Sequence, residues 1–147
     1  MGFMSSLDIS ASGLTAQRMR MDVIAENLAN INTTRDANGE PYRRRYVTMG
    51  AKESFSGYMS SAMSADTSVT STGGVRVTSI LEDPTPFVLD YNPDHPDANE
   101  DGYVSMPNVN LTTEMVDMMS ATRSYEANIT AIEAIKDMAQ RALNIGK

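Results

Sequence analysis

Between Asp97 and Gly102 the chain reads DANEDG. Asp97, Asn99, Asp101 and Gly102 match positions 1, 3, 5 and 6 of an EF-hand calcium loop. There, alternate oxygens converge on a hard cation and the glycine makes the turn. The twelfth position requires a bidentate carboxylate but falls on Asn108, and Pro93, Pro96 and Pro107 stand where the flanking helices belong. The pattern therefore reads as an Asx-rich turn, with a calcium-binding module as the competing function class.

His95 is the single histidine, and the sequence contains no cysteine. One imidazole without thiolates cannot complete a structural zinc site, and general acid–base work needs a positioned partner. His95 reads as a loop residue that caps or packs locally. Arg43, Arg44 and Arg45 lie between Tyr42 and Tyr46, a mixture of cations and aromatics that can serve nucleic acid. Strand alternation puts Arg44 on the opposite face from its neighbours, and the net charge of −7 disfavours a polyanion partner. An interface or a solvated strand is expected. Nothing assembles a nucleophile, base and oxyanion donor, so the expectation is no enzyme, no cofactor and no metal.

The elements that position these residues are unusual for 147 residues. A first helix is expected over about Ser6 to Asn32, capped by Ser5 or Ser6. Leu7, Leu14, Met21 and Leu28 recur every seven residues, joined by Ile24 and Ile31, with weak points at Ser10 and Gln17. A second is expected from Leu111 to Ile145, with Asn110 as N-cap and Gly146 as its stop. Leu111, Met118, Tyr125, Ile132 and Ala139 form one line, and Met115, Thr122, Ile129, Lys136 and Leu143 an adjacent one. At 1.5 Å per residue the helices are roughly 40 and 50 Å long. The methionines Met115, Met118, Met119 and Met138 read as helix packing more readily than as a peptide groove.

Between the helices, Asn38-Gly39 signals a tight turn before a strand-like YRRRYVTM. Residues 50–74 hold ten Ser or Thr and read as a flexible loop. VRVTSIL (from Val75) and FVLDY (from Phe87) read as short strands. Charge is segregated: Glu82 to Asp101 carries seven acidic residues and no base, whereas Arg35 to Lys52 carries five bases. The two segments either face one another or are separately solvated. The fold class is α+β: residues 1–33 with 108–147 form a discontinuous helical assembly domain, and 34–107 a β-rich middle domain.

Near the end of the first helix, ENLANINTT places Asn27, Asn30 and Asn32 within six residues, although asparagine competes for helix backbone groups. Asn32 with Thr33 and Thr34 reads as helix termination. Asn27 and Asn30 share one helix side next to Leu28 and Ile31, where buried amides would need partners and fix register between neighbouring helices. No apolar run reaches the roughly 18 residues of a membrane span, and MGFMSSLDIS lacks the features of a Sec-type signal. Two long amphipathic helices with so little to bury against suggest a polymer subunit.

The residues then reach a resemblance. SLDISASGLTAQRMRMDVIAENLANINTT resembles the N-terminal signature of bacterial flagellar axial proteins, carried by Ser12-Gly13-Leu14, Gln17, Asn27-Leu28-Ala29-Asn30 and Thr33. VNLTTEMVDMMSATRSYEANITAIEAIKDMAQRALNIGK resembles their C-terminal helix, notably Val109, Glu114, Met115 and Ser124 to Asn128. The short middle, with NGEPYRRR, YNPDHPDAN and DGYVSMPNVN, is similar to the proximal-rod members of that family. The resemblance implies a structural subunit of the basal-body rod in the periplasmic space. Such a subunit is exported by the flagellar type III apparatus, polymerises helically through its terminal helices and transmits torque. Its partners would be copies of itself, other rod proteins and the export apparatus. The assembly residues implied are Leu7, Leu14, Met21, Asn27, Leu28, Asn30 and Ile31 on one helix, and Met115, Met118, Tyr125, Ile129, Ile132 and Leu143 on the other. Another rod protein, or a helical adaptor, is the alternative.

Overall fold

A computed structural model of the chain describes residues 3–36, 39–52 and 73–145. Helix α1 spans Phe3–Ala29 and helix α2 spans Leu111–Ile145. Between them, β1 (Arg45–Ala51) pairs antiparallel with β2 (Val75–Glu82), and β3 (Val88–Tyr91) with β4 (Tyr103–Met106). These make two separate two-stranded sheets, so the class is α+β.

The second helix has the bounds that its spacing predicts. Asn110 caps it: its Oδ1 accepts from the Thr113 amide at 3.1 Å and its carbonyl from the Glu114 amide at 3.0 Å. The first helix starts at Phe3, so Ser5 and Ser6 lie inside it, and it closes at Ala29, before Asn32. The first strand begins at Arg45 rather than Tyr42 and runs through Gly50 and Ala51, residues assigned above to the loop. The remainder of that loop, 53–72, lies outside the described residues, as do Asn38 and Gly146. Strand β4 was not expected. Its hairpin closes through Gly102, whose φ of +79° is a conformation glycine adopts without a Cβ penalty. In the first sheet Thr48 faces Ser79 and Met49 faces Val77, leaving Thr78 as the extra residue of a bulge.

The helices run antiparallel. Phe3 and Ser6 line a groove with Ile135, Met138 and Leu143 at one end, Gly13 meets Asn128 midway, and Asn27 meets Glu114 at the other end. Small residues set the approach. A Cβ added at Gly13 would lie 3.1 Å from the Asn128 amide atoms, and Ser10, Ala16 and Ala121 are buried. The positions of α1 buried within the chain are Ser10, Ala16, Val23, Ile24 and Asn27. The predicted line Leu7, Leu14, Met21, Leu28 and Ile31 is only half-buried. A contact made through small side chains draws in the residues beside the large apolar ones.

On α2 the covered positions alternate by three and four: Glu114, Met118, Ala121, Tyr125, Asn128, Ile132, Ile135 and Ala139. This is the predicted first line plus a line offset by three. The predicted second line, offset by four, is exposed: Met115, Ile129 and Leu143 are 53%, 37% and 75% exposed, Thr122 and Lys136 are exposed too, and Leu143 borders the groove at Phe3. Among the described residues eighteen large apolar side chains are exposed, and only six hydrophobic residues are buried. That ratio leaves the chain's own hydrophobic stabilisation small.

Candidate assembly site

Where α1, β1 and the first turn of α2 meet, the molecule buries polar groups beside Val23, Ile24 and Tyr42. Asn27 and Glu114 have no measurable exposure. The Asn27 Nδ2 donates to the Arg45 carbonyl at 2.8 Å and to Glu114 Oε2 at 3.1 Å. Its Oδ1 accepts from the Arg45 amide at 2.9 Å and from the Tyr42 hydroxyl at 2.9 Å. Both donors and both lone pairs of one carboxamide are thus used, which is what a buried amide requires. The opposite Glu114 oxygen, Oε1, accepts from Arg44 Nε at 2.6 Å, and the start of α2 favours a carboxylate there.

A second tier of charge surrounds this pair. Arg44 also lies 3.6 Å from Asp83 and 3.9 Å from Asp117, and Asp117 pairs with Arg20 at 2.9 Å. Burial opposes the charge on Arg44. The Glu114 hydrogen bond and charge, with Asp83 and Asp117, outweigh that cost and hold its pKa above the usual value. Asp83 is held below the usual carboxylate range, chiefly by the Thr85 hydroxyl and then its amide. Asn108 accepts from the Arg44 amide at 2.8 Å and donates to the Thr85 hydroxyl at 2.8 Å, fastening the approach to α2 onto the same corner. The turn after α1 is what brings Tyr42 back: Thr33 bonds the Asn30 carbonyl, and its own carbonyl accepts from the Tyr42 amide at 3.2 Å.

Burial of its ring, and next the charge of Glu26, push the Tyr42 pKa from 10.0 to about 12, with Arg45 pulling the other way. The fold therefore keeps the proton that an unfolded chain releases. The stabilisation is complete below pH 10 and is lost as pH rises from 10 to about 12. Denaturant unfolding at pH 9 and 11.5 is expected to show a fall in stability that the Tyr42→Phe variant reduces.

The remaining sequence candidates resolve individually. Asn30 does not behave as Asn27 does: its Nδ2 donates to the Glu26 carbonyl of its own helix at 2.9 Å and its Oδ1 accepts from Thr33 at 3.2 Å. It closes the helix, because it sits one turn past the point where β1 crosses. The bonds of Asn27 tie elements of its own chain. The three arginines divide their work: Arg43 stacks on Phe87 at 4.5 Å, Arg44 enters the junction, and Arg45 pairs with Glu26 and Glu82. The acidic and basic segments do face one another, through Arg44–Asp83, Arg45–Glu82 and Arg35–Asp97. Asp97 also accepts from Thr34 at 2.9 Å, so a calcium ion would have to displace two partners. His95 Nδ1 accepts from the Asp97 amide at 3.1 Å, a local cap. The sequence reading missed Glu114 and Arg44 as a buried pair. The available signal was an acid at the start of a helix whose neighbours are apolar.

Two long antiparallel helices, joined by a polar corner to a small β layer and carrying exposed apolar residues, are the layout of a structural subunit. The comparisons give that class a family. The family described as "Flagella basal body rod protein" matches residues 7–35, and "Flagellar basal body rod FlgEFG protein C-terminal" matches residues 100–145. The flagellar basal-body rod protein FlgC of Bacillus subtilis (strain 168) is 54% identical, with 97% of each chain covered. That of Borreliella burgdorferi is 45% identical over 99% of this chain and 98% of the relative, and that of Salmonella typhimurium 38% over the whole of both. The chain belongs to the FlgC family of flagellar basal-body rod proteins.

Proposed function

We propose that this protein is a structural subunit of the proximal rod of the flagellar basal body, in the periplasmic space. The flagellar type III apparatus exports it. It assembles helically with copies of itself and with other rod proteins, and its role is to transmit torque, with no chemical step. Residues 1–33 and 108–147 form the helical assembly domain and a coiled-coil-like layer; residues 34–107 form the outer β-rich part. The observation that carries this reading is the uncovered apolar line of α2, Met115, Ile129 and Leu143, lying beside the line already packed on α1. With Val116 and Met119 also exposed beside Met115, exposed apolar residues along a helix mark an interaction surface. Leu7, Leu14, Met21, Leu28 and Ile31, with Met118, Tyr125 and Ile132, are half-buried in the single chain and gain their remaining cover from neighbouring subunits. Asn27 contributes by fixing the position of α1 that the neighbours meet. No helix among the described residues is long and apolar enough to cross a membrane.

The test is incorporation. Leu28→Asp or Ile132→Asp is expected to leave the rod without this subunit and cells non-motile in soft agar. Normal basal bodies and full motility with either variant would reject the reading.

A further inference from the structure

The hairpin β3–β4 is built as a docking element. All four residues of β3 are exposed, as is Tyr103 across from Tyr91. Among the described residues neither strand pairs with the other sheet. One side of the hairpin is covered, with Val104 buried, whereas Val88, Leu89 and Tyr91 with Tyr103 stay exposed, and an exposed apolar patch of this kind marks a contact surface. Tyr91 is nevertheless held in place. Its ring meets Tyr103 edge-on at 5.3 Å, and it crosses so close to Gly102 that a Cβ there would lie 3.0 Å from it. An exposed aromatic ring fixed in advance is the usual anchor of an interface, because little freedom is lost on binding.

The matching receptor is on the same molecule. Val116, Met119, Ser120, Arg123 and Ser124 of α2 line an open cavity of about 290 Å³ that no other described element fills. Val116 and Met119 are exposed, and Arg123 makes no ion pair among the described residues. The hairpin carries Asp90, Asp94, Glu100 and Asp101 exposed around its tip, and no Lys or Arg occurs between Arg76 and Arg123. Apolar floor meets apolar anchor, and a free cation meets an acidic rim. Arginine over an aromatic ring is already used twice in this chain, at Phe87 and at Tyr42.

Resting on the rod reading above, we infer that the hairpin of one copy docks on α2 of the next. Tyr91 enters the Val116–Arg123 cavity, and Asp90 and its acidic neighbours face Arg123. Anchor and cavity lie on different surfaces, so the contact is head-to-tail and propagates without closing. It joins the β layer of one subunit to the helical layer of another.

The cysteine-free sequence makes the test clean. Leu89→Cys and Met119→Cys, both at exposed positions, are carried on two separately tagged chains expressed together in flagellated cells, and hook–basal bodies are purified under oxidising conditions. The expected result is a disulfide-linked heterodimer of the two tags that exceeds either homodimer at least tenfold. Introducing Arg123→Glu into the Met119→Cys chain should reduce it severalfold, and Arg123→Lys should restore it. Both chains present in the basal bodies with no heterodimer, or a heterodimer indifferent to Arg123→Glu, overturns the docking. Absence of the unmodified chain from basal bodies overturns the rod reading instead.

Discussion

Glu114→Ala is expected to cost about 3–5 kcal/mol of folding free energy, the usual penalty for removing one partner of a buried ion pair. The stability of a domain is only about 5–15 kcal/mol, and few apolar residues are buried among the described ones, so the loss is expected to detach the β layer from the helices. Arg44 would keep only Asp83 and Asp117 at 3.6 and 3.9 Å, and one Asn27 donor would be left without an acceptor. Glu114→Gln retains the shape and one acceptor but turns an amide nitrogen toward a donor, and should cost about 1–3 kcal/mol. Arg20→Ala breaks a pair exposed by about a third on each side and should cost at most about 1 kcal/mol. Denaturant unfolding followed by helical circular dichroism checks the ranking. Equal losses for Glu114→Ala and Arg20→Ala would show that the buried corner is not what joins the layers.

The two-sided role of Glu114 explains what was and was not legible in the sequence. A run of 35 helical residues with Asn110 before it is written in local spacing and capping chemistry, so its bounds follow from residues alone. The strands of the first sheet are legible as strands, but not the bounds of β1, which runs from Arg45 to Ala51. The helix face that packs on α1 is not legible in this way. Ser10, Gly13, Ala16 and Ala121 make the close contact because they are small, and smallness is invisible to a search for large apolar residues every seventh position. That search found Leu7, Leu14, Met21 and Leu28, which lie beside the buried seam. β4 was hidden for a different reason. Four residues between an acidic turn and Pro107, of which only Val104 is buried, are too short a run for alternation to be read. The junction was half legible: the position of Asn27 at the end of a helix marked it as needing partners, but the sequence does not say that Tyr42, Arg45 and Glu114 supply them.

Asn27→Leu and Asn27→Asp then separate the reasons for a carboxamide at this point. Leucine is the better helix former and resembles its neighbours Leu28 and Ile24. It nevertheless strands the Tyr42 hydroxyl, the Arg45 amide and carbonyl, and one Glu114 oxygen, at about 1–3 kcal/mol for each group left buried and unpaired. Asp is almost isosteric and keeps both acceptor bonds, to Tyr42 and to the Arg45 amide. It loses the donor, and it sets a second carboxylate where Asn27 now lies 3.1 Å from Glu114. Two buried carboxylates at that distance cannot both stay ionised, so the folded state takes up a proton that the unfolded chain does not hold at neutral pH. A carboxyl pKa raised in the fold gives stability that is present at low pH and lost as pH rises. Asn27→Asp is therefore expected to gain stability relative to wild type as pH falls from 7 toward 5, whereas Asn27→Leu keeps a constant deficit over that range. Melting both variants at pH 5 and 7 beside the wild type decides it. A deficit for Asn27→Asp that does not shrink at pH 5 would mean that the two carboxyls do not share a proton and that the lost bond to the Arg45 carbonyl carries the cost.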